Sequence, residues 1–197
     1  MFSLKRPTAV AIERTVATAD SVRWARPRFL SVERGLIVGR LPISFARDFS
    51  QSSVGRGEAA FSKARAAFER WEMFNLGWVR VANATARIVA GQIVAVEAHT
   101  FGLWSLNFSR VLDAVDTPNC FGFLYATTEI HVEQGEERFL LEIDHGSGEV
   151  KYTVEAVSCP RSSLARLGYP ITRSFQHRFA RDSHRHMREV VSGKSLD

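Results

Sequence analysis

Arg110, Glu129, His131 and Glu137 are residues whose types, if brought together, could do chemistry. A guanidinium cannot discharge, so on an apolar face it demands a carboxylate or an anionic ligand, and Glu137 or Glu129 could supply the first. Three readings stand side by side: an exposed cross-strand pair of His131 with Glu137, a recognition site at a cavity mouth, and an acid–base pair of the same two residues. Strand register is what would assemble the group. Around Gly135, a three-residue loop Glu133-Gln134-Gly135 suits the backbone better than a two-residue turn, which would force Gln134 to positive φ. That loop pairs Tyr125 with Ile143, Thr127 with Leu141, Glu129 with Phe139 and His131 with Glu137, so that both apolar sets share one face. The same loop at Thr100-Phe101-Gly102 pairs Ala98 with Trp104 and Val94 with Phe108, and sends Arg110 to the apolar face. Arg110 is then expected to anchor the polar end of an apolar ligand such as a fatty acid, with His131 and Glu137 at the rim. Trp104, Tyr125, Phe139 and Gln176 complete the expected ligand-binding set.

The elements that must hold these residues follow from hydrophobic period. From Gly77 to Ser158 apolar side chains alternate, marking six strands: Val79 and Val81, Val94 to Ala98, Trp104 to Phe108, Phe121 to Tyr125, Phe139 to Ile143, and Val150 to Val154. Hairpin-length connections make them an antiparallel meander with one buried face. Ile43 to Val54 predicts an earlier strand. After the Gly55-Arg56-Gly57 turn, Phe61, Ala64, Ala67, Phe68 and Trp71 recur at helical spacing. Pro170 opens a long helix to about Val191, with Ile171, Phe175, Phe179 and Met187 as its apolar stripe, Ser183 at the vacant step and Gln176 beside Phe175. Strand, helix, six strands and a final helix is the order of an α+β helix-grip domain, a curved antiparallel sheet wrapped around a long C-terminal helix. The expected boundaries are an extension packed on the domain over 1–40, the domain over 41–192, and a tail over 193–197.

Other candidates are weaker. Gly55-Arg56-Gly57 lacks the spacing of a phosphate loop. His177, His184 and His186 share a helix without the i, i+4 spacing of a two-site metal face, so surface histidines and no metal are expected. Ser105, Ser158 and Ser183 have no nucleophile-elbow context. Trp71, Trp78 and Trp104 fit core anchors better than a base-stacking platform.

Composition bounds the classes. The 197 residues are 45% hydrophobic and 24% charged, which fits one globular domain. No run approaches the roughly 18 apolar residues of a spanning helix, no signal-peptide core opens the chain, and two cysteines suit a reduced compartment, so a cytoplasmic protein is expected. Charge is uneven: residues 1–70 hold 13 Lys and Arg against 6 Asp and Glu, 71–158 hold 5 against 12, and 159–197 hold 8 against 3. Basic ends can dock on the acidic middle or meet an anionic partner; docking, without specific nucleic-acid binding, is the expectation.

A family resemblance rests on several motifs in order. Gly102-Leu103-Trp104-Ser105-Leu106-Asn107 with Arg110, Phe121-Gly122-Phe123 with Tyr125, Thr127 and His131, Gly135-Glu136-Glu137-Arg138-Phe139, and Leu167-Gly168-Tyr169-Pro170 followed by Arg173, Gln176, Phe179, Ala180 and Ser183 look like domain of unknown function 1990, a family of bacteria and plants. Ala126, Thr128 and Cys159 depart from its motifs. The family resembles the helix-grip lipid-transfer and pollen-allergen domains, which implies a cavity between sheet and helix and brings no reaction or cofactor with it. The expected function is a binding module for a small apolar or amphipathic molecule, with no cofactor. An enzyme of the same fold using His131 and Glu137, and a basic-surface interaction protein, are the alternatives.

Overall fold

The period-two stretch becomes the strands β5 (Val79–Val81), β6 (Ile93–Thr100), β7 (Leu103–Thr117), β8 (Cys120–Thr127), β9 (Glu133–Ile143) and β10 (Glu149–Pro160). Ahead of them β4 (Ala46–Arg56) runs straight into α2 (Gly57–Glu69), and behind them lies α3 (Tyr169–Ser192). Earlier still come β1 (Phe2–Ser3), α1 (Ala9–Ala19), and the short pair β2 (Leu30–Ser31) and β3 (Gly35–Leu36). This computed structural model describes residues 2–19, 29–83, 85–129, 133–160 and 169–193, so His131 and residues 194–197 of the expected tail lie outside the described residues, as does the side chain of Ile171. Seven strands form one antiparallel sheet in the order β4-β10-β9-β8-β7-β6-β5, with β1 pairing β7 as an eighth off that path, and the sheet curls about α3 in a helix-grip, α+β architecture.

The concave face is the main core. Phe61, Ala64, Ala67 and Phe68 form the buried stripe of α2, and they meet Phe121, Phe123, Phe139, Leu141 and Tyr152 from the sheet. Phe68 approaches Tyr152 edge-on at 5.5 Å, and Trp71 approaches Phe123 at 5.1 Å, geometries that suit aromatic quadrupoles. The C-terminal half of α3 seals against this core through Met187 and Val191, and the Ser183 hydroxyl, at the step where the apolar stripe lapses, lies 2.8 Å from the Tyr152 hydroxyl. His184 sits between Ser50 and Ser52, with a ring nitrogen 2.9 Å from each hydroxyl. The expectation of surface histidines fails here: His184 and His186 are both buried, the latter with its Nε2 3.3 Å from the Glu72 carboxylate. A helix face that must dock on β4 needs hydrogen-bonding partners for the strand's inward serines, and a histidine ring provides two.

The expectation of a single buried face also fails. Phe101 and Gly102 take φ of 51° and 75°, giving a two-residue turn between β6 and β7 where a three-residue loop was expected. Paired neighbours are therefore Val96 with Asn107 and Ala98 with Ser105, and Leu106, Phe108 and Arg110 point away from the helix. On that convex side Leu106 and Phe108 pack with Ile93, Ala95 and the α1 residues Ile12 and Ala19. A second convex cluster joins Phe29, Leu30 and Val32 to Leu124, Leu140 and Val157. Buried ions fix this second layer. Glu136 accepts the backbone N–H groups of Phe29 at 2.8 Å and Leu30 at 2.9 Å. Arg138 donates to the Val32 carbonyl at 3.1 Å and pairs with Glu155 at 3.1 Å, and Arg47 holds the other oxygen of Glu155 at 2.7 Å. Arg6 reaches Glu97 at 2.6 Å. Basic groups near the N-terminus thus dock on acidic groups of the middle, where Glu97 and Glu155 keep a countercharge that offsets part of their desolvation.

Two measurements test these layers. In urea melts Met187→Ala should lose about 2–5 kcal/mol, as for a buried side chain whose space cannot refill, whereas Phe179→Ala, which enlarges a space already present, should lose about 1–2 kcal/mol. Glu136→Ala orphans two buried donors at roughly 1–3 kcal/mol each, and amide exchange at Phe29 and Leu30 should accelerate well before the β8–β9 amides are affected; equal acceleration throughout would show that the N-terminal layer is not a separable unit.

Candidate functional site

The N-terminal half of α3 does not close on the sheet. Between them lies a cavity of about 340 Å³, within the range of small-molecule sites. Phe74, Trp78, Phe175 and Phe179 supply aromatic walls, and Val79, Val96, Ala98 and Val154 supply aliphatic ones. Small side chains keep the space open: Ala98 on β6, and Ala156 and Ser158 on β10, stand where larger residues would reach the helix. Gly135 belongs to the same opening. It lies inside β9 rather than in a turn, and a Cβ there would come within 2.4 Å of the Val157 carbonyl oxygen, so glycine is needed for close strand approach.

One end of the cavity is acidic. The Tyr125 hydroxyl donates to Glu137 Oε2 at 2.5 Å, directly across the β8–β9 ladder. Gln176 Nε2 on α3 donates to Glu133 Oε2 at 2.9 Å and to the Ser158 hydroxyl at 3.4 Å. At the mouth, Asp48 on β4 pairs with Arg173, and the largely exposed His177 has its Nε2 3.3 Å from Asp48 Oδ1. Burial pushes the Glu137 carboxyl up to about 7, with Glu133 and Asp48 adding to the rise and the Tyr125 hydrogen bond opposing it. Burial likewise lifts Glu133 to about 7, against the pull of Gln176 and Arg173. The Tyr125 phenol is raised well above its ordinary value, first by burial and then by Glu137, so it stays a donor. On the wall beside Ser50, burial and the charge of Arg188 lower His184 to about 4, leaving a neutral ring. The arrangement places two carboxyls able to hold or release a proton near neutral pH inside an apolar space. Among the described residues no group of three His, Cys, Asp or Glu is disposed to hold a metal ion.

Of the residues singled out in the sequence, Tyr125, Glu137 and Gln176 line this cavity. Phe139 lies in the core against them, stacked on Phe123 at 5.0 Å between ring centres. Arg110 does not reach it: on the convex face its Nη1 donates to the Gly91 carbonyl at 3.4 Å. Trp104 is also convex, stacked on His99 at 4.5 Å with the Arg6 guanidinium 5.1 Å from its ring centre. Glu129 is exposed, outside the lining. The β8–β9 register explains part of this. Tyr125 faces Glu137 rather than Ile143, a slip of six residues; because six is even, the faces are as expected while the partners differ. Of the tryptophans, Trp71 is a core anchor and Trp78 is a cavity wall. Asp48 is not singled out in the sequence, Glu133 is read there only as a loop residue and His177 only as a surface histidine. For Asp48 the one signal was the alternation Asp48, Ser50, Ser52 along β4, a polar set on one parity of the strand.

The two raised carboxyls carry a pH prediction. Folded-state values near 7 against ordinary values near 4.5 mean that the folded protein binds more protons between those limits, so stability attributable to this pair falls as pH rises from about 4.5 to about 7. Glu137→Gln, which resembles the protonated acid, should melt like wild type at about pH 5 and gain about 1–3 kcal/mol over it at about pH 8. A variant less stable than wild type at pH 8 would mean the carboxylate is stabilised there.

Comparison with known proteins places this geometry in a wider set. The structure of Ara h 8.0201 superimposes with a TM-score of 0.50 at 12% identity, covering 76% of this chain and 99% of that one, and the di-domain ARO/CYC BexL with a TM-score of 0.54 at 9% identity, covering 79% and 52%. At those identities the likeness is one of fold. A UPF0548 protein of Dictyostelium discoideum is 35% identical over 159 residues, covering 75% of this chain and 74% of the relative, and one of Deinococcus radiodurans is 32% identical over 192 residues, covering 92% and 94%. Since residues 32–186, from the N-terminal layer into the C-terminal half of α3, match the model of the domain of unknown function DUF1990, the chain belongs to that family.

Proposed function

We propose that this protein binds a small, largely apolar molecule in the cavity between the sheet and the N-terminal half of α3. The observation that carries the reading is an aromatic-walled space of about 340 Å³ with a compact polar end, built by residues from β4, β6, β8, β9, β10 and α3 together. Fixed polar groups in such a space would orient a ligand whose apolar body supplies most of the affinity. The basic-surface alternative would use the outer face of α3, where Arg178, Arg181 and Arg185 share the one carboxylate of Asp182 and leave a net positive charge. No described helix is long and apolar enough to cross a membrane.

A second reading is favoured by one observation, the pair of carboxyls raised to about 7. Proton transfer at neutral pH needs groups of that strength, so an enzyme of this fold would use Glu137 and Glu133 in place of the expected His131 and Glu137 pair. Deuterium exchange from solvent into the carbon next to the carbonyl of a bound cyclic ketone, lost in Glu133→Gln, would mark that activity.

The binding reading is tested by thermal melts with a panel of bicyclic aromatic compounds, and by native mass spectrometry followed by denaturing extraction. A ligand at about 100 times its Kd should add about 2.7 kcal/mol, a rise of roughly 5–10 °C for a chain of this size. Ala98→Phe, which fills the cavity from β6, should melt near the wild-type temperature and lose the shift. An unchanged shift in that variant would locate binding elsewhere.

A further inference from the structure

Three large apolar side chains stand in water at one end of the sheet. Phe101 in the β6–β7 turn is 83% exposed, Leu103 just after it 40%, and Leu4 81%. The pairing of Ser3 with Trp104 puts Leu4, the next residue along, beside the start of β7 at Leu103. The φ of 51° at Phe101 is one that asparagine or glycine takes with less strain, so the turn keeps an aromatic ring in solvent against the preference of its own backbone. An outlier of that kind at an exposed apolar site points to a use for the ring. Basic side chains surround the tip on both sides of the sheet. On the convex side Arg6 and Arg80 both pair with the buried Glu97, so that two cations share one carboxylate, and Lys5 is exposed beside Leu4. On the helix side Phe175 packs on Phe101 at 5.4 Å and on Trp78 at 5.9 Å, and Arg178 lies 4.6 Å from the Trp78 ring centre while sharing Asp182 with Arg181 and Arg185. The end of the molecule is thus apolar at its point and net positive around it.

We propose that this end of the molecule docks on an anionic lipid bilayer, with Leu4, Phe101 and Leu103 entering the headgroup boundary and Lys5, Arg6, Arg80 and Arg178 meeting lipid phosphates and carboxylates around them. Shallow apolar insertion and headgroup attraction are each weak alone, and a lasting surface contact takes both. The tip supplies both within the reach of one hairpin. Arginine and lysine stems suit the position, since they can lie along the apolar boundary while their charges stay at the headgroups. A nucleic acid fits less well. Stacking needs bare aromatic faces, whereas the Trp104 ring is covered by His99 at 4.5 Å and by Arg6 at 5.1 Å, and Leu4 and Leu103 have no ring to offer. The groove bordered by Phe101 and Arg178 shares Trp78 and Phe175 with the cavity walls, so docking in this orientation turns that side of the cavity toward the lipid. The docking itself is independent of what the cavity holds.

Co-sedimentation of the full chain with vesicles of phosphatidylcholine, with and without phosphatidylserine, tests this, together with amide exchange in the presence of the same vesicles. Vesicles with about one-third phosphatidylserine should bind about tenfold or more tightly than phosphatidylcholine alone at about 0.1 M salt, an advantage that shrinks as salt is raised. In the wild-type chain, exchange should slow at the turn residues Phe101 and Gly102 when these vesicles are added. Phe101→Asn, which suits the positive φ and so should melt no lower than wild type, should bind them about tenfold more weakly. Arg80→Gln and Arg178→Gln should each cost about fivefold. Absence of binding to the anionic vesicles, binding that survives all three substitutions unchanged, or exchange that slows elsewhere and not at the turn would overturn the assignment. So would a Phe101-dependent dimer formed without lipid, or single-stranded DNA that binds more tightly than the vesicles and loses affinity in Phe101→Asn.

Discussion

Both faces of the β4–β10 sheet carry large apolar side chains, and neither can be left to water. Inward stand Phe123, Phe139, Leu141 and Tyr152; outward stand Leu106, Phe108, Leu124 and Leu140. A curved antiparallel sheet ordinarily wets one side, so this one has to be covered twice, by α2 and α3 within the curve and by α1 and the Phe29–Val32 segment outside it. The outer cover is short and has little apolar area of its own. Buried ions fix its position, with Glu136 on two backbone amides and Arg138 shared between a carbonyl and Glu155. Such contacts add little net stability, yet they penalise any other placement heavily, because a misplaced segment would strand a desolvated charge.

Inside the curve the cover is uneven. The C-terminal half of α3 is held by Met187, Val191, Ser183 and His184, and α2 closes the adjoining space where Gly55 lets Ala60 and Val191 approach β4. Toward the other end the sheet presents Ala98, Ala156, Ser158 and Gly135, and Phe175 and Phe179 span the gap without filling it. A helix fixed firmly at one end and facing small side chains at the other leaves a void by geometry. Aromatic walls hold that void open because their rings pack on one another, as Phe74 does at a tilt with its neighbours Phe139 and Phe179, in place of collapsing inward.

The polarity of the void follows from which strands border it. β9 brings Glu133 and Glu137 on the inward parity, β8 brings Tyr125, and β4 brings Asp48 and Ser50, so acids collect there while the arginines of α3 stay on its outer face or at the mouth. Burial then keeps the inner carboxyls protonated close to neutral pH, which lowers the cost of desolvating them.

Sequence alone determined the order of elements, the long terminal helix, the amphipathic α2, and the inward parity of five of the six meander strands. Period carries that information locally, since alternation or helical spacing shows without knowledge of any partner. It also placed Tyr125, Glu137 and Gln176 on the face that lines the cavity. Tertiary structure decided the rest. β7 carries apolar residues on both parities, so its period could not say which face was concave, and the choice was made by α1 needing Leu106 and Phe108 beneath it. The turn at Phe101 and Gly102 accepted an exposed phenylalanine at positive φ, a modest strain that the register repaid elsewhere. Gly135 had two local explanations, a turn or a close approach, and the neighbouring strand β10 chose the second. Arg110 left the site and Asp48 and Glu133 entered it for the same reason: register and the second layer are contacts between residues far apart in the chain, and no local pattern encodes them.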